Sequence, residues 1–366
     1  IDTNETLALK LTIDSLTGAS ASGAVSTNQA QTFTRPSGEG SYTTSANQIP
    51  LDNSFKDTRL DLSMDWVKPI KNDLKLKLGS NISTEYDYQS FSINTGIEHS
   101  FNTNNSTLSV GASFARDSIN PVGGVPIAFS NMEEAGASTN RESSGAKTKN
   151  TLDLLVSLTQ IIDKNSLFQL NYSSSRSNGY HTDPYKVISI VDAVTGEITL
   201  NGNISNVVYE NRPDNRSMDS VFFKYKRNLT GNNVLDTSYR YLWDDWGITS
   251  HTVDTHYKFR LSENSFLEPH IRYYSQSSAE LYTPYFTNNT VPTSATVFAS
   301  ADYRVGSLDT FTIGLTYGKD NVESPWSAGL EYYKQIPANV ATFGALNEQN
   351  LNPDVSAVIL KLNYDF

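Results

Sequence analysis

Apolar residues recur at every second position along much of this chain. In "LALKLTI", Leu7, Leu9, Leu11 and Ile13 share one face, and Ala8, Lys10 and Thr12 share the other. "RLDLSMDW" sets Leu60, Leu62, Met64 and Trp66 against Arg59, Asp61, Ser63 and Asp65. The scheme returns in "LKLKL", "LFQLNY", "VFFKYK", "TVDTHYKFRL", "FTIGLTY" and "WSAGLEYY". It appears again in "AVILKLNYDF", where Val358, Leu360, Leu362 and Tyr364 alternate with Lys361, Asn363 and Asp365. A period of two belongs to an extended strand with one apolar face. Segments of roughly ten residues with this alternation predict a transmembrane β-barrel, apolar towards lipid and polar towards its lumen. A soluble sandwich alternates too, but its aromatics are not gathered at strand ends. Here Trp66, Tyr88, Phe101, Phe114, Tyr172, Trp243, Tyr317, Trp326 and Phe366 fall where an interfacial girdle would lie.

The connections also alternate. Short polar links at 68–73, 102–105, 163–166, 230–233, 262–265 and 319–324 are separated by long irregular segments at 17–56, 117–148, 177–216, 279–296 and 336–354. Short turns on one side and long loops on the other are what outer-membrane barrels show. The expectation is an all-β, antiparallel up-and-down barrel of fourteen strands forming a single domain over residues 1–366, with both ends on the short-turn, periplasmic side. Residues 297–318 read as one long strand, because a break at Gly306-Ser307 would leave an odd count. The stretch "KVISIVDAVTGEITL" reads as a separate hairpin above the barrel, turning at Thr195-Gly196.

Composition removes several alternatives. No run approaches the roughly 18 consecutive apolar residues of a membrane helix. The mean hydropathy of −0.42 is polar, yet aromatics reach 11% with 20 tyrosines, so the chain is not of the disordered kind. Cysteine is absent, which excludes disulfides, thiolate metal sites and cysteine nucleophiles. A net charge of −11 argues against a nucleic-acid partner. Ile1 is followed at once by Asp2, Asn4 and Glu5, so either the protein is cytosolic or its leader has already been removed, as in a mature exported chain.

Several stretches also carry a resemblance: "LTGASASGAV", "QTFTRPSGEGSY", "RDSINPVGG", "HTDPYKVISIVD", "YENRPDNR", "SYRYLWDDWGITSHT" and "IRYYSQSSAELY". The chain resembles, over essentially its whole length, a family of Gram-negative outer-membrane proteins known only as a domain of unknown function. The resemblance implies a barrel in the cell outer membrane, in contact with lipids and lipopolysaccharide, but no established activity. It also implies a partner, since members are often encoded beside a small lipoprotein and exported redox-related proteins. Outer-membrane barrels commonly end on an aromatic read by the barrel assembly machinery. Leu362, Tyr364 and Phe366 would form that signal here.

The inward face is the next question. Alternation assigns Lys224, Lys226, Arg240, Lys258, Arg260 and Arg272 to the lumen, interleaved with Asp236, Asp254, His256, Glu268 and His270. The first two strands add Lys10, Asp14, Arg59, Asp61 and Asp65. One reading is a cross-strand network that satisfies a polar interior. The other is a selectivity wall for an anionic solute. Acids and bases alternate too evenly for a single-sign ring, which favours the network.

The sharpest chemical candidate is "WDDWGITSH", an outer hairpin carrying Asp244, Asp245 and His251. Carboxylates beside an imidazole at a barrel rim could activate water. The same residues suit a turn, with Asp opening it, Gly247 supplying the torsion, and Trp243 and Trp246 packing at the interface. Ser175 and Ser177 near His181 match no nucleophile elbow, and His181 with Asp183 reads as a loop contact. "NPVGGVP" lacks the Lys-Ser/Thr and the helix of a phosphate cradle. Five histidines and no cysteine leave no evident transition-metal set. Calcium in the outer loops stays open, with Asp244, Asp245, Glu210 and Asp214 as hard oxygen ligands. The functional expectation is a partner-binding scaffold with a largely occluded lumen and no enzymatic activity. A narrow diffusion channel or a rim hydrolase would be the alternatives.

Overall fold

The structure is a computed structural model that describes residues 5–35, 40–137, 139–142 and 145–365, so the proposed terminal signal residue Phe366 lies outside the described residues. Among those residues, fourteen strands form one sheet. They are β1 (Thr6–Ala21), β2 (Leu51–Lys71), β3 (Leu74–Thr84), β4 (Tyr88–Phe101), β5 (Ser106–Ile119), β6 (Lys147–Asp163), β7 (Ser166–Gly179), β8 (Asn215–Asn228), β9 (Val234–Asp244), β10 (Thr249–Arg260), β11 (Ser265–Gln276), β12 (Leu308–Lys319), β13 (Trp326–Pro337) and β14 (Val355–Tyr364). Each lies antiparallel to its neighbour in sequence, the order of an up-and-down transmembrane barrel.

Register fixes the two faces. Leu11 pairs with Leu62, and Leu62 with Ile82; they are 63%, 49% and 55% exposed. At the other end of the sheet, Leu330 pairs with Leu360 and Ala328 with Leu362. This apolar face runs from strand to strand across the whole sheet, far beyond the patch a water-soluble monomer tolerates. The opposite face carries pairs such as Asp14 with Arg59. Among the described residues β1 pairs only with β2 and β14 only with β13, so the ring is one hydrogen-bonded seam short of closure. The sheet nevertheless curls round on itself. Gln349 Nε2, just before β14, donates to Asn47 Oδ1, just before β2, at 2.9 Å.

The buried apolar core lies almost wholly in the long loops. Phe33, Val187, Ile188, Val191, Val207, Val208 and Leu346 are each 1% exposed or less, and none belongs to the large sheet. Phe33, Met132, Val187, Ile204 and Val207 form one cluster drawn from three loops. Phe129, Ile188, Val208, Phe286 and Ala299 form a second. A strand at Val187–Val191 organises both, pairing antiparallel with Val207–Tyr209 and parallel with Tyr285–Thr287. It is buried on both faces, which is why "VISIV" is apolar at every position but Ser189, whose hydroxyl accepts from the Val25 N–H, while the strands of the large sheet alternate. The loops thus build a cap with its own core over one end of the sheet.

Three expectations change. Residues 297–318 are not one strand: β12 starts at Leu308, and 303–305 form a 3-10 turn. Ala299, Ala301 and Val305 are buried in the cap, so this half of the segment finds its apolar partners there and not in lipid. The strand count is unaffected. The hairpin predicted around Thr195-Gly196 survives only as a tip, with Val191 bridging Ile198 and Asp192 N–H donating to Glu197 O at 2.8 Å. The main partners of its first strand are distant in sequence. Tyr88, placed in the lipid girdle, lies on the inward row instead, since Phe91, Ile93 and Ile97 take the outward one; it sits against Lys149 of β6.

Candidate functional site

The inward faces of β8 to β14, with the turn after β12, carry three groups of ion pairs. Lys224 Nζ and Lys226 Nζ meet Asp236 Oδ2 at 3.0 and 3.4 Å. Lys258 Nζ and Arg260 Nη2 converge on Asp320 Oδ2 at 2.6 and 2.9 Å. Between these groups His256 and His270, directly opposite each other on β10 and β11, stack with ring centroids 4.0 Å apart and 11° between planes. His256 Nδ1 faces Glu268 Oε1 at 3.1 Å, and its Nε2 faces Asp254 Oδ1 at 3.3 Å. His270 Nδ1 faces Glu331 Oε1 at 2.9 Å, and its Nε2 faces Asp254 Oδ2 at 3.2 Å. Arg272 Nη1 approaches Asp254 Oδ2 at 3.3 Å, and Lys361 Nζ reaches Glu331 Oε1 at 2.7 Å. Arg240 joins none of these pairs; with Phe222, Asp254 and Arg272 it lines a lumenal cavity of about 480 Å³. On the first strands Arg59 Nη2 meets Asp14 Oδ2 at 2.5 Å, and Asp61 accepts from Asn81 Nδ2 at 2.7 Å. Lys10 and Asp65 share this row, opposite Ser63 and Gly79.

A second charged cluster lies inside the cap. Glu210, with no exposed side chain, faces Arg212 Nε at 2.6 Å and accepts from the Asp183 N–H at 2.7 Å and from Ser300 Oγ. Arg212 Nη2 also reaches Asp302 Oδ2 at 2.8 Å. Arg304 Nε donates to Asp302 Oδ2 at 2.8 Å, and its Nη2 continues to Asp183 Oδ2 at 2.7 Å. Burial acts on both carboxyls. It pushes Glu210 up against the pull of Arg212, whereas at Asp302 the Arg304 and Arg212 guanidinium groups outweigh burial and hold the carboxyl well below its usual range. Beside this cluster a cavity of about 370 Å³ is lined by Tyr42, Lys56, Asp87, Arg141, Tyr185 and Tyr209. Burial there pushes the Tyr42 phenol up to about 12.

The residues of "WDDWGITSH" are not assembled as a catalytic group. Asp244 Oδ1 accepts from the Trp246 and Ile248 N–H groups at 3.1 and 2.8 Å, and Oδ2 holds Arg216 Nε at 2.8 Å. Asp245 Oδ1 accepts from the Ser217 N–H at 2.9 Å. His251 lies on the outward row, where its Nδ1 meets Tyr239 Oη at 2.7 Å and its ring packs on Tyr241. Trp243 shares that row, stacked on Tyr241, whereas Trp246 is not interfacial. Trp246 is buried with Ile248, Ala279 and Leu281, under the Arg216 guanidinium 4.6 Å away, because the chain turns back there into the cap. Gly247 has φ +86°, and a Cβ there would stand 2.9 Å from Glu280 Cγ. Gly247→Val should therefore destabilise the hairpin by about 1–3 kcal/mol, since a β-branched residue resists positive φ. Asp244→Asn keeps the turn acceptor and loses the charge on Arg216, for a cost of about 1.5–3 kcal/mol. Thermal unfolding of the two variants checks both values.

The chain belongs to the family described as protein of unknown function (DUF3570), which it matches over residues 1–366. No curated protein matches it. Among solved structures it is similar to the siderophore receptor PirA from Acinetobacter baumannii, at 9% identity over 76% of this chain and 43% of that one, with a TM-score of 0.47. The ferric enterobactin receptor PfeA from Pseudomonas aeruginosa gives 10% identity over 76% and 43%, with a TM-score of 0.48. The alcaligin outer-membrane receptor FauA from Bordetella pertussis gives 10% over 84% and 49%, with a TM-score of 0.45. The chain thus spans less than half the length of these three receptors. Identities of this size leave substrate and partner open.

Alternation alone could have found Glu331 and Lys361, which continue the inward rows of β13 and β14. Asp320 sits in the turn after β12, and no periodicity reports a turn residue's partners. The cap cluster carries no local signal at all, because 90 residues separate Arg212 from Asp302. Of the proposed calcium ligands, Glu210 and Asp244 each carry a guanidinium, and Asp245 is taken by a backbone donor. Among the serines near His181, Ser177 Oγ meets His181 Nε2 at 2.7 Å, while His181 Nδ1 meets the Gly179 carbonyl at 2.8 Å. Asp183 turns away from that imidazole towards Arg304.

Proposed function

We propose that this protein works in the outer membrane of a Gram-negative cell as a capped, partner-binding scaffold and not as an open pore, in the mature form left after its signal peptide is removed. The cap core is the observation that carries this reading. Ordering loops of this length costs conformational entropy that surface loops normally keep. Here Phe33, Val187, Val207 and Leu346 offset that cost by burial, and a persistent folded surface at the mouth is what a docking partner needs. The family resemblance suggests a small lipoprotein or an exported redox protein as occupant. The outward rows would meet lipid and lipopolysaccharide, with Leu362 and Tyr364 in the strand presented to the assembly machinery. On this reading the chain binds and does not catalyse, and purified protein leaves generic peptide and ester substrates intact.

Single-channel conductance in a planar bilayer tests the cap. The wild-type protein should give no large, stable steps. Val207→Asp places a charge in a site with no exposure, so it should loosen the cap and open conducting events while the barrel stays folded. Large, weakly selective steps from the unaltered protein would sink the scaffold reading. The cavity lined by Arg240 and Arg272 favours the second reading, a narrow channel. Its mark would be small anion-selective steps that reverse selectivity in Arg240→Glu.

A further inference from the structure

We infer that Asp254, His256 and His270 form a binding site for a divalent first-row transition-metal ion in the lumen wall. The argument begins with proton counting. Both nitrogens of each imidazole face a carboxylate, His256 at 3.1 and 3.3 Å and His270 at 2.9 and 3.2 Å. A neutral imidazole has one N–H, and an ionised carboxylate only accepts. One contact per ring would therefore set a lone pair against a lone pair. Protonating both rings removes that conflict but places two like charges face to face, 4.0 Å apart. A single dication between the two Nε2 atoms and Asp254 removes both problems.

The surroundings are those of a metal site. Glu268 and Glu331 stand at hydrogen-bond distance from the two Nδ1 atoms, so the tautomer protonated there would leave each Nε2 lone pair free. This carboxylate–histidine arrangement orients metal-bound imidazoles and raises their basicity. The ligand atoms of Asp254, His256 and His270 all lie within 4.8 Å of one another. With bonds of 2.0–2.1 Å, ligand atoms at a tetrahedral zinc ion stand ~3.3 Å apart, close to the Nε2-to-carboxylate distances of 3.3 and 3.2 Å. Asp254 also borders the 480 Å³ lumenal cavity, which gives an entry path. Two nitrogens and one carboxylate suit Zn²⁺, Fe²⁺ or Co²⁺ better than Ca²⁺ or Mg²⁺.

The test uses untagged, detergent-purified protein, stripped with a chelator and titrated with Zn²⁺ alone and with Co²⁺ alone. The expected result is one ion per chain, with visible Co²⁺ absorption of a low-coordinate nitrogen–oxygen site. His256→Ala and His270→Ala should abolish that band, and Glu268→Gln and Glu331→Gln should weaken binding ~10–100-fold. His251→Ala, on the outward face, should leave binding unchanged. Heat-modifiable gel mobility reports whether each barrel is folded, and His270→Gln replaces any alanine variant that is not. No stoichiometric uptake by folded wild-type protein would overturn the proposal. Uptake that survives in the folded double-histidine variant would overturn it equally.

Discussion

Replacing Arg212 by methionine should release the cap while the barrel persists. Arg212 is 10% exposed and lies between two carboxylates with no exposure, Glu210 and Asp302. Removing the cation leaves Glu210 buried without its guanidinium and Asp302 held by Arg304 alone, a loss in the range of about 3–5 kcal/mol. Limited proteolysis should then cut within 183–214 and 279–307 at protease levels that leave the wild type whole, while gel mobility still reports a folded barrel. Replacing Glu210, Arg212 and Asp302 together by neutral residues of similar size should be far milder, because no charge is left unpaired. A protease-resistant cap in Arg212→Met would show that the cluster is not what holds the loops. The same cluster sets a pH response. An unfolded Asp302 titrates near 3.8, and in the cap it is held well below that. A carboxyl with a depressed folded pKa stabilises fully above its unfolded value and loses that contribution as pH falls towards its folded one. The cap should therefore loosen progressively below about pH 4, and Asp302→Asn should lack this component of the response.

Leu62→Arg should be the most damaging change in the sheet, and Ser63→Arg, one residue on, should be nearly silent. Leu62 stands mid-strand between Leu11 and Ile82 on the outward row, where a charged side chain near the bilayer midplane costs about 2–4 kcal/mol. Ser63 points inward, where its hydroxyl donates to Asp61 at 3.0 Å and Lys10 stands opposite. An arginine there enters a polar, acid-bearing wall. Denaturant titration of both variants in lipid vesicles measures the difference. A reversed ranking would turn the assigned faces of the sheet inside out.

The barrel was legible because its rule is local. A strand exposed to lipid on one side and to a polar lumen on the other must alternate, so Leu7 to Ile13 and Val358 to Tyr364 declare their faces one residue at a time. Errors came where that rule stops. Residues 297–307 carry enough apolar side chains to pass for strand, yet Ala299, Ala301 and Val305 serve the cap. Tyr88 stands at a strand end as a girdle residue would, but the register turns it inward onto Lys149. Trp246 has the composition of an interface residue and the position of a core one.

The sequence by itself determined the strand count and the short-turn side through the lengths of its links, and the faces of most strands, with many of the charges that line the lumen, through neighbours two positions apart. Tertiary structure decided which of those charges meet. The pairing of His256 with His270 depends on the register between β10 and β11, and a shift of one residue would send one imidazole to the lipid side. Tertiary structure also decided that the loops are a folded cap. "HTDPYKVISIVD", "YENRPDNR" and the segment around Asp302 each carry an incomplete set of charges, and only contact across 90 residues between Arg212 and Asp302 completes them. Periodicity records what a residue faces; it holds no information about which distant residue stands on the other side.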